Sequence, residues 1–168
     1  MVKTKNKTEQ KIHPETKIGH IHLKVSYLQR SIDFYSQVLG FEVMTRMGGS
    51  AAFLSAGGYH HHIGLNTWES AAGKPPPHGS TGLYHFAILV PDRKELAQVA
   101  KRLIDNEYPI EGLSDHGVSE AIYLKDPDGN GIEIYADKPR SKWKYNPEGK
   151  IIMVTEYLDI KELLEELK

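Results

Sequence analysis

A repeated order of secondary structure is the feature that most constrains how this chain can fold. The segment IGHIHLKV (18–25) alternates like a strand, and a helical apolar pattern follows it between Ser26, a predicted N-cap, and Gly40, a predicted helix stop. The segment LYHFAILV (83–90) starts the same order again and leads into a helical pattern over 92–106. Short strand-like stretches follow each helix, so the sequence predicts one β-α-β-β-β unit that occurs twice.

The strand-like stretches that follow each helix are short and separated by turn residues. They span residues 41–47, 51–56 and 61–68 in the first copy and 110–113, 121–125 and 131–136 in the second. The DPDGNG sequence between the last two is a strong turn motif. We therefore predict an α+β fold in which two βαβββ modules form one domain. Their eight strands should form a shared, half-open, barrel-like sheet with the helices on the outside.

The repeat also predicts the limits of each part of the chain. These are an N-terminal arm (1–17), module one (18–68), a Pro/Gly/Ser linker (69–81), module two (82–138) and a C-terminal extension with a short helix (139–168). The arm and the extension lie outside the repeat and could reach a second subunit. We expect a homodimer, which is the commonest soluble assembly.

Composition excludes several classes of function. The chain has no cysteine, which rules out disulfides, thiolate metal sites and cysteine nucleophiles. Its net charge of −1, from 21 basic and 22 acidic residues, gives no reason to expect nucleic acid or a membrane surface as a partner. The polar, Lys-rich start lacks the apolar core of a secretory signal, and no apolar run approaches membrane-spanning length. We therefore expect a cytoplasmic protein.

Strand alternation directs a small group of polar side chains away from the helices. Ile21, Leu23 and Val25 form the helix-facing side of the first strand, so His20 and His22 point the other way. By the same count His85, Tyr123, Glu133 and Tyr135 leave the helix-packed side of their own strands. His20 and His85 occupy equivalent positions in the two copies. We predict that His20, His85 and Glu133 form a 2-His-1-carboxylate site, which binds a divalent transition metal and leaves coordination positions open.

The alternative for each histidine is a structural role, since a single strand histidine is more often a hydrogen-bonded, partly buried residue. An ionised Glu133 flanked by two isoleucines, however, needs a partner if it is buried. Gly64 aligns with Glu133 in the first copy, and its missing side chain predicts a gap where a substrate can reach the metal. We assign His22, His62, Gly64 and Tyr135 to substrate binding.

The paired copies, together with HLKVSYLQRSIDFYSQVLGFEV and DPDGNGIEIYAD, resemble the vicinal oxygen chelate superfamily of glyoxalase I, bleomycin-resistance proteins and extradiol dioxygenases. The resemblance covers about residues 18–138. Within the superfamily, HGVSEAIYLKDPDGNGIEIY (116–135) and HHHIGLNTW resemble the catechol 2,3-dioxygenase-like branch. Many ring-cleaving members carry two such paired domains, whereas this chain has one.

The resemblance implies roles for individual residues. It implies iron ligands at His20, His85 and Glu133, in agreement with the strand argument. It implies an acid–base histidine at His61, a loop histidine at His116 and a substrate-contacting tyrosine at Tyr123. Strict alternation back from Gly64 instead directs His62 into the cavity, although strand starts often bend or bulge. We favour His61 and keep His62 as the alternative.

The function predicted from these residues is extradiol ring cleavage. A catechol-like aromatic diol would chelate the metal, for which we expect Fe(II), with Mn(II), Zn(II) or Ni(II) as alternatives, and O₂ would be the second substrate. One alternative is a glyoxalase I-like lyase or isomerase, which usually needs a second carboxylate where Gly64 stands. The other is a non-catalytic, bleomycin-resistance-type binding protein, for which no metal is needed.

Overall fold

The computed structural model describes residues 11–168 and contains the predicted unit twice. The first copy comprises β1 (Ile21–Lys24), α1 (Leu28–Asp33), a π-helix (Phe34–Val38), β2 (Glu42–Met47), β3 (Ala51–Ser55) and β4 (Ile63–Asn66). The second comprises β5 (Phe86–Leu89), α2 (Arg93–Asp105), β6 (Gly112–Asp115), β7 (Ser119–Lys125) and β8 (Gly131–Asp137). Beyond the repeat lie a 3₁₀ turn (Arg140–Lys142), β9 (Glu156–Tyr157), α3 (Ile160–Leu164) and a final 3₁₀ turn (Glu165–Leu167).

The strands form two sheets, each built on the same plan. The first has the order β1-β4-β3-β2, and the second has the order β5-β8-β7-β6-β9. In each sheet the first strand of the copy runs parallel to the last, while the other pairs are antiparallel. This confirms the α+β class and the repeat. Most of the predicted linker, 69–81, forms turns and contains no helix or strand.

The predicted single sheet of eight strands differs from the two sheets of four and five that residues 11–168 form. The edges of β1 and β5 that face away from β4 and β8 are not hydrogen-bonded to each other. The modules meet instead through the start of the first helix and the β7–β8 turn. Asp128 in that turn accepts hydrogen bonds from the hydroxyl and N–H of Ser26 and from Arg30. The buried Tyr35 hydroxyl donates to Asp126 at 3.0 Å.

Ser26 therefore has a different role from the predicted N-cap. The residue in the N-cap position is Tyr27, and its side chain makes no capping hydrogen bond. Ser26 is directed across the module boundary because the Asp128 carboxylate is a stronger acceptor than a neutral group. Gly40 ends the helical segment as predicted, with a φ of +88°. In the second copy Asp92 caps α2 as predicted, by accepting from the Glu95 N–H.

The C-terminal extension packs on module two. β9 pairs with β6 next to Ser114 and Asp115, so the extension adds a fifth strand to the second sheet. Asp159 caps α3 as predicted, and the buried Leu163 joins the core of the second module. The predicted arm lies partly outside the described residues. No helix within residues 11–168 has both the length and the apolar character needed to cross a bilayer.

Candidate functional site

His85 and Glu133 lie within hydrogen-bonding distance of each other on the open face of the second sheet. The Nε2 atom of His85 lies 3.1 Å from Oε2 of Glu133, and both side chains are partly buried. Ala87 pairs in parallel with Glu133, and His85 lies two residues before Ala87 on the same face of the chain. Alternation therefore brings the imidazole diagonally across to the carboxylate, as predicted from the sequence.

A glycine allows the His85 backbone to approach this closely. A side chain at Gly131 would place its Cβ 3.1 Å from the Cβ of His85. It would also meet the carbonyl oxygen of Tyr84 well inside the 3.0 Å that real Cβ atoms keep. Because the obstacle is backbone, no rotamer change relieves it. Gly131 thus fixes how near the start of β5 lies to the strand that carries Glu133.

Tyr123 and His116 extend this pair into a continuous hydrogen-bonded chain. The Tyr123 hydroxyl lies 3.0 Å from Oε1 of Glu133 and 2.7 Å from Nε2 of His116. Tyr123 reaches Glu133 because the two are direct cross-strand partners in β7 and β8. Burial, and next the hydrogen bond to Glu133, raise the pKa of Tyr123 well above its usual value. The phenol therefore remains protonated and can donate a hydrogen bond at neutral pH.

The chain of side chains borders a cavity of about 620 Å³. His85, His116 and Tyr123 line it, together with Tyr84 and Thr155. The sequence pattern did not identify the last two as site residues. Tyr84 directly precedes His85 and could have been suspected from that neighbour, but Thr155 lies outside the repeat and had no pattern to indicate it.

The remaining predicted histidines gather on the first sheet. The rings of His20 and His61 lie 4.4 Å apart between centroids, and Phe53 packs against His61 at 5.0 Å. Burial, followed by the charges of neighbouring histidines with His20 first, lowers the pKa of His61. A lowered pKa favours the neutral imidazole, which can accept a proton at neutral pH.

His62 points away from this group. Its Nδ1 atom lies 3.0 Å from the Ser55 hydroxyl, and its ring packs on Tyr59. Alternation counted back from Gly64 pointed to His62, but the chain bends at His62 directly before β4 begins at Ile63. The structure therefore places His61, and not His62, beside His20. The roles of both in proton transfer and substrate binding stay predictions.

Gly64 occupies the position that is equivalent to Glu133. It pairs with His22 just as Glu133 pairs with Ala87, and His22 and Ala87 each lie two residues after the predicted histidine ligand. The space beside Gly64 is not empty, however. The His22 ring lies across it, 2.9 to 3.1 Å from where a Cβ would stand. His22 therefore fills part of the gap that was predicted to admit a substrate.

Tyr135 faces the same side of β8 as Glu133, two residues further along. Burial, followed by the charges of Asp137 and Glu133, raises its pKa. Tyr135 does not border the cavity that His85 lines. Its predicted contact with a substrate is untested.

A divalent metal fits two of the three predicted ligands as they stand. Neighbouring ligand atoms on one metal lie about 3 Å apart when bonds of about 2.1 Å meet at right angles, and His85 and Glu133 match that separation. His20 makes no ion pair with Glu133 and no ring contact with His85. Across residues 11–168, no three His, Cys, Asp or Glu side chains lie close enough together to hold a metal ion. Within one chain His20 thus lies apart from His85 and Glu133, and the three-ligand metal site stays a prediction.

The likeness to known proteins agrees with this geometry. The chain is 49% identical over 155 residues to catechol-2,3-dioxygenase of Bacillus subtilis, a match that covers 92% of this chain and 53% of the relative. It is 33% identical to virulence protein STM3117 of Salmonella typhimurium, over 70% of this chain and 82% of the relative. The chain thus spans about half of the first relative and most of the second.

A solved structure supports the fold. A glyoxalase/dioxygenase from Nostoc punctiforme superposes with a TM-score of 0.63 over 77% of this chain and 98% of the other, at 23% identity. The sequence model of the Glyoxalase/Bleomycin resistance protein/Dioxygenase superfamily matches residues 17–134, which hold module one, nearly all of module two and every predicted metal ligand. The chain belongs to the Glyoxalase/Bleomycin resistance protein/Dioxygenase superfamily.

Proposed function

We propose that the protein is an extradiol-type ring-cleaving dioxygenase that acts on a catechol-like vicinal diol. The observation that carries this proposal is the hydrogen-bonded chain from His85 through Glu133 and Tyr123 to His116, which opens on a cavity large enough for an aromatic ring. The likeness to catechol-2,3-dioxygenase supports the same reaction class, although this chain covers only 53% of that relative.

The residues proposed to hold the metal are His20, His85 and Glu133. Fe(II) is the metal proposed, and it would supply Lewis-acid activation of the diol and a position for O₂. Gly64 supports this assignment over a glyoxalase-like lyase, because it leaves no second carboxylate at the position equivalent to Glu133.

The chain's own residues supply binding and proton transfer. The Tyr123 hydroxyl, which is protonated at neutral pH, orients a diol oxygen by hydrogen bonding. Nε2 of His116 receives or returns a proton through that hydroxyl, to which it lies close at 2.7 Å. His61, whose pKa is lowered, accepts a proton from the diol on the opposite side of the site.

We further propose that the third ligand comes from a second copy of the chain. His85 and Glu133 lie on module two, and His20 lies on module one with no contact to them. A twofold dimer would set module one of each copy against module two of the other and complete two equivalent sites. The free edges of β1 and β5 are available for this contact.

Metal analysis and oxygen uptake test the reaction. Protein purified without oxygen should contain one equivalent of a divalent metal for each chain and should consume O₂ when catechol is added. His85→Ala should lose the metal and the oxygen uptake together. A fully metal-loaded His85→Ala variant would exclude the ligand assignment, whereas a metal-free wild-type protein would favour a binding protein without catalysis.

Subunit mixing tests the shared site. His20→Ala and His85→Ala should each be inactive alone. If sites form between copies, half of the randomly exchanged dimers carry one intact site out of two, so the mixture should recover about one quarter of the wild-type activity. A mixture that stays inactive after proven subunit exchange would place all three ligands within one chain.

A further inference from the structure

The C-terminal extension reaches the site through the backbone of Val154. We propose that the Val154 carbonyl accepts a hydrogen bond from Nδ1–H of His116 and so fixes the orientation of the imidazole ring. Only Nε2 of His116 can then exchange a proton with the cavity. The use of that proton rests on the proposed function, but the placement of the ring does not. Val154 is thus a positioning residue, because it does not line the cavity and acts through His116.

Two hydrogen bonds join Val154 and His116. The Val154 N–H donates to the His116 carbonyl oxygen at 3.1 Å. Nδ1 of His116 lies 2.9 Å from the Val154 carbonyl oxygen. A carbonyl oxygen only accepts, so Nδ1 must carry the hydrogen in this contact. The tautomer of a neutral His116 is therefore fixed by a backbone group, and a backbone group is present whatever the side chain at position 154.

The other ring nitrogen of His116, Nε2, faces the cavity and is available for proton transfer. Nε2 of His116 lies 2.7 Å from the Tyr123 hydroxyl, which continues to Glu133. In the neutral ring Nε2 accepts the single hydrogen of that hydroxyl, which is then not donated to Glu133; in the doubly protonated ring Nε2–H donates to the hydroxyl, and the hydroxyl donates to Glu133. In either state the nitrogen that faces the cavity is Nε2. A ring turned by half a rotation would instead present Nδ1 to Tyr123 and lose the bond to Val154.

The extension is anchored well enough to hold the ring. β9 follows Val154 almost at once and pairs with β6, which leads into His116. Beyond β9, Leu158 and Leu163 are almost completely buried in the core. On the other side the Ile152 N–H donates to the Lys144 carbonyl at 2.9 Å. Val154 therefore sits between two fixed points, even though the superfamily match ends at residue 134.

The loop that carries His116 is shaped to receive this segment. Gly117 has a φ of +76°, and a Cβ there would lie 3.4 Å from a methyl group of Val154. Just before His116, the Asp115 carboxylate accepts from the Gly117 N–H at 2.8 Å and pairs with Lys138 at 2.5 Å. The Asp115–Lys138 pair holds one side of this loop, and Val154 packs against the other side.

The tautomer of His116 can be measured directly by NMR. The full-length, metal-free protein, labelled with ¹⁵N only in histidine, should show His116 with a hydrogen on Nδ1 in long-range proton–nitrogen NMR spectra. The signal is assigned by its loss in His116→Asn. A neutral His116 with its hydrogen on Nε2 and a bare Nδ1 would overturn the proposal. This measurement needs neither metal nor turnover, so it decides the inference even if the proposed reaction fails.

A pair of variants at one position tests the consequence. Val154→Ala keeps both backbone groups, whereas Val154→Pro removes the N–H that donates to His116. We expect V154A to keep the wild-type His116 spectrum, and V154P to show a loss of the Nδ1–H signal. With catechol, V154P should lose about tenfold in kcat with little change in KM, because the segment that carries the Val154 carbonyl loses its hydrogen bond to the His116 backbone and shifts away from Nδ1.

The two variants also separate positioning from general loss of structure. Urea unfolding reports whether V154P is folded. If V154P is unfolded, the histidine NMR spectrum of the wild-type protein decides the proposal alone. A folded V154P that retains the Nδ1–H signal and wild-type kcat would show that the Val154 N–H is not what keeps its carbonyl against the ring, and the wild-type spectrum then decides the proposal.

Discussion

Replacing Gly131 with alanine should separate His85 from Glu133 without altering either residue. The added Cβ would meet the Tyr84 carbonyl oxygen, which belongs to the backbone directly before His85. Because a backbone atom cannot rotate away, β8 and the start of β5 must move apart. The variant therefore tests whether the geometry of the pair, and not only its chemistry, matters.

The size of the effect follows from the contact distances. Ordinary contact begins at 3.4 Å, so we expect the backbones to separate by roughly 1 Å, a displacement that can cost about a hundred-fold in rate. The 3.1 Å between His85 Nε2 and Glu133 Oε2 would then exceed hydrogen-bonding distance. Overpacking of this kind costs about 1–3 kcal/mol of unfolding free energy. For a chain of this size each kcal/mol lowers Tm by roughly 2–4 °C.

Urea unfolding, Mn(II) titration and oxygen uptake would be measured on G131A beside Gly49→Ala. Gly49 lies in the turn between β2 and β3, where an added Cβ meets nothing within 4 Å. We expect G49A to match the wild type in all three measurements. We expect G131A to be less stable, to bind Mn(II) at least tenfold more weakly and to turn over catechol slowly. Wild-type stability together with wild-type Mn(II) affinity in G131A would refute the argument that this glycine sets the spacing of the pair.

Three further changes test other parts of the structure. Tyr35→Phe removes a buried hydrogen bond to a carboxylate in the β7–β8 turn and should cost about 1.5–3 kcal/mol in urea unfolding. Burial would raise the pKa of Asp115, but the hydrogen bonds from Lys138 and a backbone N–H lower it overall. The ionised carboxylate therefore stabilises the fold above about pH 4, and this contribution is lost as the pH falls through the lowered pKa. Asp115→Asn should cost about 1–2 kcal/mol at pH 7 and flatten the acid limb of the stability curve. His61→Phe should keep the metal and lose about a hundred-fold in turnover, while His62→Phe should lose much less.

Matched controls sharpen these expectations. Tyr157→Phe alters a tyrosine that is 77% exposed and should change stability by less than about 0.5 kcal/mol. Asp105→Asn breaks a half-exposed i,i+4 pair with Lys101 and should also cost no more than about 0.5 kcal/mol. If Y35F or D115N is as mild as its control, the contact concerned does not stabilise the fold. If H62F proves the more damaging histidine change, the acid–base assignment belongs to His62.

The repeat made most of the fold predictable. Strand alternation with a period of two places Tyr123 and Glu133 on one face from sequence alone, because β7 and β8 are regular, and the count also held for His85, which directly precedes β5. Alternation did not bring His62 beside His20, because the chain bends at His62 just before β4 begins, although the His62 backbone still bonds to both neighbouring strands.

Contacts between distant parts of the chain could not be predicted in this way. Neither the pairing of Val154 with His116 nor the bond from Ser26 to Asp128 leaves a periodic pattern, since each joins an irregular segment to a turn. The local sequence predicts Ser26 as an N-cap. Its hydroxyl donates instead to the carboxylate of Asp128 in the other module, which is a stronger acceptor than a neutral group. The separation of the strands into two sheets likewise depends on how the modules meet, which composition and spacing do not determine.

The free edge of β5 carries a risk for the isolated subunit. Its sequence, Phe-Ala-Ile-Leu, holds no charge, and Leu89 is 54% exposed. The corresponding edge of β1 carries Lys24, and charged residues discourage strands of other molecules from adding to an edge. During expression or refolding, aggregation should therefore begin at β5. Leu89→Lys should improve solubility more than a leucine-to-lysine substitution on an interior strand.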